Sequence, residues 1–296
     1  KVLQEELNKS FKNCFFNQLG RPLTEPELIE FIKDADAAVV GTEIITENVL
    51  NHAPRLKVIS KYGVGLDNID KELLERHGIF LGWTGGVNRR SVAELTLCFM
   101  LGLCRNIFAA GFKLKQSTWE KNGGYQLTGK TIGIIGCGYT GSEVIRLLRP
   151  FHCNLLISDI IDKSKFCKEE NAIQLPLEDV VARSNIISIH VPLTSLTKGM
   201  VNANLLAQMK SNAFLINTSR GGVVDQQALK ESLKANKIAG AALDVFSEEP
   251  PNDQELLDLP SLMVTPHIAG NAKESVEAMG RSAINHLVSF FKKNPI

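Results

Sequence analysis

From Lys130 onward the chain alternates short apolar runs with amphipathic stretches. The runs "TIGII", "NLLIS", "NIISIH", "AFLINTS", "IAGAALDVF" and "LMVTPH" are nearly free of charged positions and rich in β-branched residues, which predicts buried strands. Between most of them apolar positions recur at helical spacing, as in "NANLLAQMK" and "DQQALKESLKANK", which predicts helices. Continuously apolar strands alternating with helices predict a parallel sheet covered on both faces. The opening segment repeats the pattern on a smaller scale. "ELIEFIKDA" and "KELLERHG" predict helices, the second closed by Gly78, and "AAVVG", "LKVIS" and "IFLGW" predict strands. "KVLQEELNKSF" is helical in pattern, and a short strand is expected ahead of Lys1.

Between these two regions lies the loop "TGGVNRR". Ser91, with Glu94 three residues on, predicts an N-cap and capping box. Behind it "VAELTLCFMLGLCRNIFAAGFKLKQ" predicts one long helix, apolar on most faces. Such a helix is buried, against the core or against a partner subunit. The tail "ESVEAMGRSAINHLVSFFKK" predicts a last helix. The opening segment is too short to complete a domain, so this tail is expected to pack back onto it. The predicted organisation is α/β, two doubly wound parallel-sheet domains: a discontinuous smaller one, 1–85 plus 272–296, and a larger one, 86–271. A cleft between them is the expected place for ligands.

Composition narrows the function. The chain has 296 residues, 44% hydrophobic and 22% charged, with a formal net charge of +1. That balance gives no electrostatic case for a nucleic acid or an anionic membrane as partner. No apolar run approaches the length of a spanning helix, and no secretory signal is found. The six cysteines form no C-x-x-C pair, and several lie inside apolar runs, which favours a reduced, cytoplasmic setting and no metal site.

"KTIGIIGCGYTGSEVIRLLRPFHCNLLISD" carries the most specific chemistry. Gly136, Gly138 and Gly141 follow a predicted strand and open a predicted helix in the spacing G-x-G-x-x-G, and Asp159 ends the next strand. Gly136 makes the tight turn, Gly138 lets backbone approach a pyrophosphate, and Gly141 lets helix pack on strand. The helix N-terminus attracts the phosphates. Asp159 accepts the ribose hydroxyls and repels a 2′-phosphate, and no arginine follows it, so NAD is the expected cofactor. A glycine-rich turn that binds nothing is the bland alternative. Cys137 lies in this turn, where a helix N-terminus can lower a thiol pKa; the alternative is a small residue merely tolerated there.

Ligands of open parallel sheets bind beyond the C-terminal strand ends. The polar residues predicted there are Asp159, His190, Asn217 to Arg220, Asp244 and His267, with Glu248 and Glu249 nearby. Arg220 suits a carboxylate, because its planar fork reaches both oxygens; capping loop carbonyls is the alternative. His267 suits proton transfer, and Glu249 suits holding it in one tautomer. Each has an ordinary structural alternative, and the case rests on all three lying beside a dinucleotide site.

Taken together, "KYGVGLDNID", "NRRSVAEL", "GIIGCGYTG", "NTSRGGVVD", "ALDVFSEEP" and "TPHIAG", in this order, resemble the D-isomer-specific 2-hydroxyacid dehydrogenases, most closely the D-3-phosphoglycerate dehydrogenase branch. The resemblance spans nearly the whole chain. It implies a Rossmann NAD-binding domain and a smaller flavodoxin-like substrate domain, and an oxidoreductase moving hydride between NAD and a 2-hydroxy or 2-keto acid, with a place in serine biosynthesis. It implies that Arg220, Glu249 and His267 are catalytic. It implies that Gly63, Val64 and Gly65 hold the substrate carboxylate with Arg220. The cofactor would be lined by Gly136, Gly138, Tyr139, Thr140, Gly141, Asp159, Val191, Thr218, Ser219, Asp244 and Gly270. The helix after Ser91 would be the homodimer contact.

Two departures bear on the substrate. Thr42 and Glu43 stand where phosphoglycerate enzymes often carry an arginine, leaving Lys61, Arg89 or Arg90 as substitutes, and Thr84-Gly85-Gly86 replaces a proline-bearing loop. A regulatory domain after the last helix is not expected, nor is serine feedback. Glyoxylate or hydroxypyruvate reduction is the neighbouring reading. A non-enzymatic NAD-sensing corepressor is the reading from another class.

Overall fold

The apolar runs form two all-parallel sheets. The computed structural model describes residues 2–294. The chain divides into two units, Lys1–Asn88 with Ala272–Ile296, and Arg89–Asn271.

In the first unit, β1 (Ala37–Val40), β2 (Val58–Lys61) and β3 (Phe80–Gly82) pair in parallel in that order. Every residue of β2 is buried, as expected of a central strand covered on both faces. One cover is a core of Leu28, Ile32, Val49, Leu73 and neighbours. The other is the helix Lys273–Lys293, which lies on β2 and β3. It comes so close that a Cβ on Gly82 would stand 2.5 Å from the His286 Cβ, and the buried Ser60 hydroxyl donates to the Ala283 carbonyl at 2.8 Å. Local signals set the ends of the short helices. Asp70 accepts the N–H groups of Glu72 and Leu73 at the start of Lys71–Arg76, and Gly78 takes φ 66° just past its end.

The second unit holds β4 (Thr131–Ile135), β5 (Asn154–Ser158), β6 (Ala172–Gln174), β7 (Ile186–Ile189), β8 (Phe214–Asn217), β9 (Gly240–Leu243) and β10 (Leu262–Val264). Their spatial order is β10-β9-β8-β7-β4-β5-β6, all parallel. The sense of winding reverses between β4 and β7, the switch point at which such sheets open a ligand crevice. Separate apolar cores cover the two faces, as the unbroken apolar strands require.

Two expectations need correction. Ser91 is not an N-cap: the helix begins at Arg89 and runs to Cys104. The Ser91 hydroxyl donates to the Ala269 carbonyl at 2.5 Å, and Glu94 pairs with Arg90 at 2.8 Å. Nor is there one long helix. It breaks at Asn106 (φ 51°) and resumes as Ile107–Lys115, bent by 64°. The cause lies downstream. The segment around Asn122–Tyr125 folds back on the helix end, where the Tyr125 N–H takes the Cys104 carbonyl at 2.7 Å and Gly123 and Asn122 carbonyls accept Arg105 and Asn106 side chains. Helix termini leave such carbonyls unpaired, and this segment satisfies one. The first half is buried as expected. The second half buries nothing, with Phe112 65% and Ile107 56% exposed. Among the described residues no single helix is long and apolar enough to cross a membrane.

Candidate active site

The strand registers align Ile135 with Ser158 and Ile189, Ile189 with Asn217, Asn217 with Leu243, and Leu243 with Val264. One residue further, Asp159, Gly136, His190, Thr218, Asp244 and Thr265 therefore stand in a row along the C-terminal edge of the large sheet. The ladder continues into that row: the His190 N–H donates to the Ile135 carbonyl at 2.7 Å and the Asp244 N–H to that of Asn217 at 3.0 Å.

At the centre of the row is the glycine turn. Gly136 has φ 88°, and a Cβ there would meet Val191 Cγ1 at 2.7 Å and the His190 carbonyl oxygen at 2.9 Å. A Cβ on Gly141 would lie 2.1 Å from the Gly136 carbonyl oxygen, so that helix Tyr139–Leu148 packs directly on the turn. Gly138 caps this helix and faces open space, with nothing within 4 Å of a would-be Cβ. Tyr139, 59% exposed, and Thr140 begin the helix. A crowded turn, an open Gly138 and a helix N-terminus are what a pyrophosphate needs, so these residues fit NAD. Asp159 closes the turn on the other side, its carboxylate accepting the Cys137 N–H at 2.7 Å and the Ile161 N–H at 2.9 Å. Cys137 is not activated. Burial pushes its thiol up to about 11, against the lowering pull of Lys163.

The two strand-end histidines differ. Burial pushes His190 down to about 3, so its ring is neutral, and its Nε2 meets the Ser188 hydroxyl at 2.9 Å. His267 lies outside, 49% exposed by side chain, with Nδ1 2.7 Å from a Glu249 carboxylate oxygen. The second Glu249 oxygen accepts the Phe246 N–H at 3.0 Å. Glu249 is thus oriented from behind, and in turn fixes the tautomer of His267, leaving Nε2 for a ligand.

His267 occupies a left-handed backbone conformation, φ 52°, which is unfavourable for a side-chain-bearing residue unless its surroundings enforce it. Asp244, fully buried, is the enforcer. Its carboxylate accepts the Thr265 hydroxyl at 2.6 Å and the N–H groups of Ile268 at 2.8 Å and Ala269 at 2.9 Å, while its carbonyl accepts the His267 N–H at 2.8 Å. Three donors satisfy a buried carboxylate. Gly270 ends the same loop, next to the Ala269 carbonyl that Ser91 holds.

Arg220 follows β8 on a loop folded by Asn217, fully buried, whose side chain donates to the Arg220 carbonyl at 2.9 Å and accepts the Ser219 N–H at 3.0 Å and hydroxyl at 2.8 Å. The Thr218 hydroxyl turns inward to Thr96 at 2.9 Å. Gly221 comes so near the β9 loop that a Cβ would lie 1.9 Å from the Phe246 carbonyl. Arg220 and the Glu249–His267 pair therefore sit on loops in direct backbone contact. Arg220 itself is half-buried, donating to the Ser219 carbonyl at 2.7 Å.

In the first unit, Gly63 (φ 131°), Val64 and Gly65 form the turn after β2. Trp83 donates to the Val64 carbonyl at 3.0 Å. The N–H groups of Gly63, Val64 and Gly65 donate to no other described residue. The three cations considered as phosphate anchors are all engaged. Lys61, 6% exposed, donates to the Gly41 carbonyl and to Asn68 at 2.7 Å. Arg90 bridges Glu94 and Glu143 at 2.8 and 2.9 Å, and Arg89 lies 3.8 Å from Glu143. Thr96 and Lys163 are contributors that motif reading misses. Asn217, expected at its strand end, is buried there and shapes the Arg220 loop.

A profile of the D-isomer specific 2-hydroxyacid dehydrogenase NAD-binding domain matches residues 97–269. The chain is 39% identical over 284 residues to D-3-phosphoglycerate dehydrogenase from Methanocaldococcus jannaschii, covering 94% of this chain and 54% of that protein. It therefore spans about half of that relative's length. Glyoxylate reductase from Pyrococcus furiosus is 37% identical over 280 residues, covering 91% of this chain and 83% of the relative. Among solved structures, D-lactate dehydrogenase from Aquifex aeolicus, complexed with NAD and lactic acid, superposes with a TM-score of 0.86 at 27% identity, over 98% of this chain and 92% of that one.

Proposed function

We propose that this chain, which belongs to the D-isomer specific 2-hydroxyacid dehydrogenase family, interconverts a D-2-hydroxy acid and its 2-keto acid with NAD. The observation that carries this reading is the Glu249–His267 pair, 2.7 Å apart, with the His267 loop held by Asp244 along the same C-terminal sheet edge as the glycine turn. NAD, when bound, supplies or accepts the hydride. The chain does the rest. Gly136, Gly138, Gly141 and the N-terminus of Tyr139–Leu148 bind the pyrophosphate, with Tyr139, Thr140, Val191, Thr218, Ser219 and Gly270 around the cofactor and Asp159 at the ribose. Asp244 acts by shaping the His267 loop. Gly63, Val64 and Gly65 offer backbone N–H groups to the substrate carboxylate. Arg220 binds that carboxylate and steadies charge growing on the carbonyl oxygen during reduction. Protonated His267 delivers the proton to that oxygen, and in the reverse direction the neutral ring removes it. Glu249 stabilises the imidazolium and keeps Nε2 directed at substrate. The unit holding the glycine turn is the NAD domain, and the other is the substrate domain. A second copy of the chain covers the apolar face of Ile107–Lys115, making a homodimer.

For the acid itself, the parent reading is a 3-phosphoglycerate-type substrate. A small unphosphorylated acid such as glyoxylate or hydroxypyruvate is the second reading, and one observation favours it: Lys61, Arg89 and Arg90 are each engaged by other groups. The test is NADH consumption with glyoxylate, hydroxypyruvate, pyruvate and 3-phosphohydroxypyruvate. Glyoxylate or hydroxypyruvate is expected to exceed the phosphorylated acid in kcat/KM. Preference for the phosphorylated acid restores the first reading. NADH binding with no turnover of any of the four supports a sensing protein instead of an enzyme.

A further inference from the structure

Asp159 does not meet the ribose alone. Lys163 Nζ lies 3.7 Å from its Oδ2, with the two side chains only 20% and 10% exposed. The loop that brings them together is fastened from β6. Gln174 accepts the Lys163 N–H at 2.7 Å and donates to the carbonyls of Asp159 at 3.1 Å and Ile161 at 3.0 Å. The carboxylate is fixed in turn by the N–H groups of Cys137 and Ile161. The ammonium is therefore held beside the acid and beside the glycine turn.

This changes the electrostatics of the subsite. An isolated carboxylate at the ribose end repels a 2′-phosphate. A carboxylate with an ammonium at contact distance presents little net charge. The ammonium also has three donors, and at 3.7 Å its ion pair with the acid is not a hydrogen bond that would occupy one of them. We propose that Asp159 and Lys163 form a dual ribose subsite that accepts a 2′-phosphorylated nicotinamide dinucleotide as well as NAD. With NAD, Asp159 accepts the ribose hydroxyls. With the phosphorylated cofactor, Lys163 turns its free donors to the 2′-phosphate. The inference rests on the dinucleotide reading of the glycine turn and adds a ligand class to it.

The test is equilibrium binding of NADH and NADPH, followed by nicotinamide fluorescence at low salt, to the wild type, Lys163→Ala and Lys163→Arg, each first shown to be folded by its thermal melt. In the wild type the two dissociation constants are expected to lie within about tenfold of each other. In Lys163→Ala the NADPH-to-NADH ratio of dissociation constants rises at least about tenfold, the scale of one lost charge-assisted contact. In Lys163→Arg it stays near the wild-type value. Added salt weakens NADPH more than NADH in the wild type, and equally in Lys163→Ala. An unchanged ratio in Lys163→Ala overturns the proposal, as does a wild type that binds NADH but not NADPH. If NADH itself does not bind, the dinucleotide reading falls and this inference with it.

Discussion

Replacing His267 with alanine is expected to lower reduction of the best 2-keto acid by about 10²–10⁴-fold, the contribution of a positioned acid–base group. NADH affinity should stay near the wild-type value, because no contact of the glycine turn or of Asp159 involves the imidazole. The loop should survive the change. Its shape comes from the four hydrogen bonds of Asp244, all made to main-chain groups or to Thr265, none to the His267 ring. The variant therefore separates chemistry from scaffold. Glu249→Gln is the informative companion. It removes the charge and keeps only one acceptor oxygen, enough for the His267 Nδ1–H or the Phe246 N–H but not both, while the imidazole itself stays, so its loss should be smaller than that of His267→Ala. Stopped-flow turnover together with NADH titration checks both. Turnover within a few-fold of wild type in His267→Ala removes the imidazole from the reaction.

The reason His267, and not His190, is the candidate is only half legible in the sequence. Both follow apolar strands, and both are flanked by small or apolar residues. What separates them is depth. His190 is one residue past β7, in the middle of the sheet, where burial keeps it neutral. His267 is three past β10, at the sheet edge, and lies outside. Strand order decides this, and strand order is not written in local periodicity. Most strands of the larger sheet are legible because they are apolar on both faces, whereas the short edge strand β6, with Ile173 exposed and Gln174 polar, escapes that pattern; the glycine turn is legible because its spacing answers to steric demands at three fixed points. The broken helix is not legible, because "LGLCRNIFAAGF" has helical periodicity throughout. The break goes with contacts from some twenty residues on, where the Tyr125 N–H caps the Cys104 carbonyl and the Gly123 carbonyl accepts the Arg105 side chain. Ser91 misleads for a similar reason: its hydroxyl has a better partner at Ala269, distant in sequence. Lys163 is missed because four residues after Asp159 predicts a contact on a helix, whereas here a loop pinned by Gln174 makes it.

Replacing Gly221 with alanine is expected to be among the most damaging single-methyl additions in the larger unit. The glycine has no left-handed backbone to protect. The problem is space, since a Cβ would lie 1.9 Å from both the carbonyl carbon and oxygen of Phe246 and 2.5 Å from the Ser247 nitrogen. Those are backbone atoms, which cannot swing aside as a flexible side chain would. Overpacking of this kind costs about 1–3 kcal/mol, and contact with three main-chain atoms puts Gly221→Ala at the upper end, a fall in Tm of roughly 6–12 °C for a unit of this size. The functional loss should exceed the stability loss. Relief of the clash must move Phe246, whose N–H orients Glu249, or the loop carrying Arg220, and a displacement of about 1 Å at such a site can cost about 10²-fold in rate. The adjacent Gly222 provides the contrast, since a Cβ there meets only Leu193 side-chain carbons, at 3.2 Å. Gly222→Ala should therefore keep most of its turnover and melt close to the wild type. Melting curves and kcat for the two alanine variants decide the matter: if Gly221→Ala matches Gly222→Ala in both, the backbone contact between the Arg220 loop and the Glu249 loop does not hold the site together.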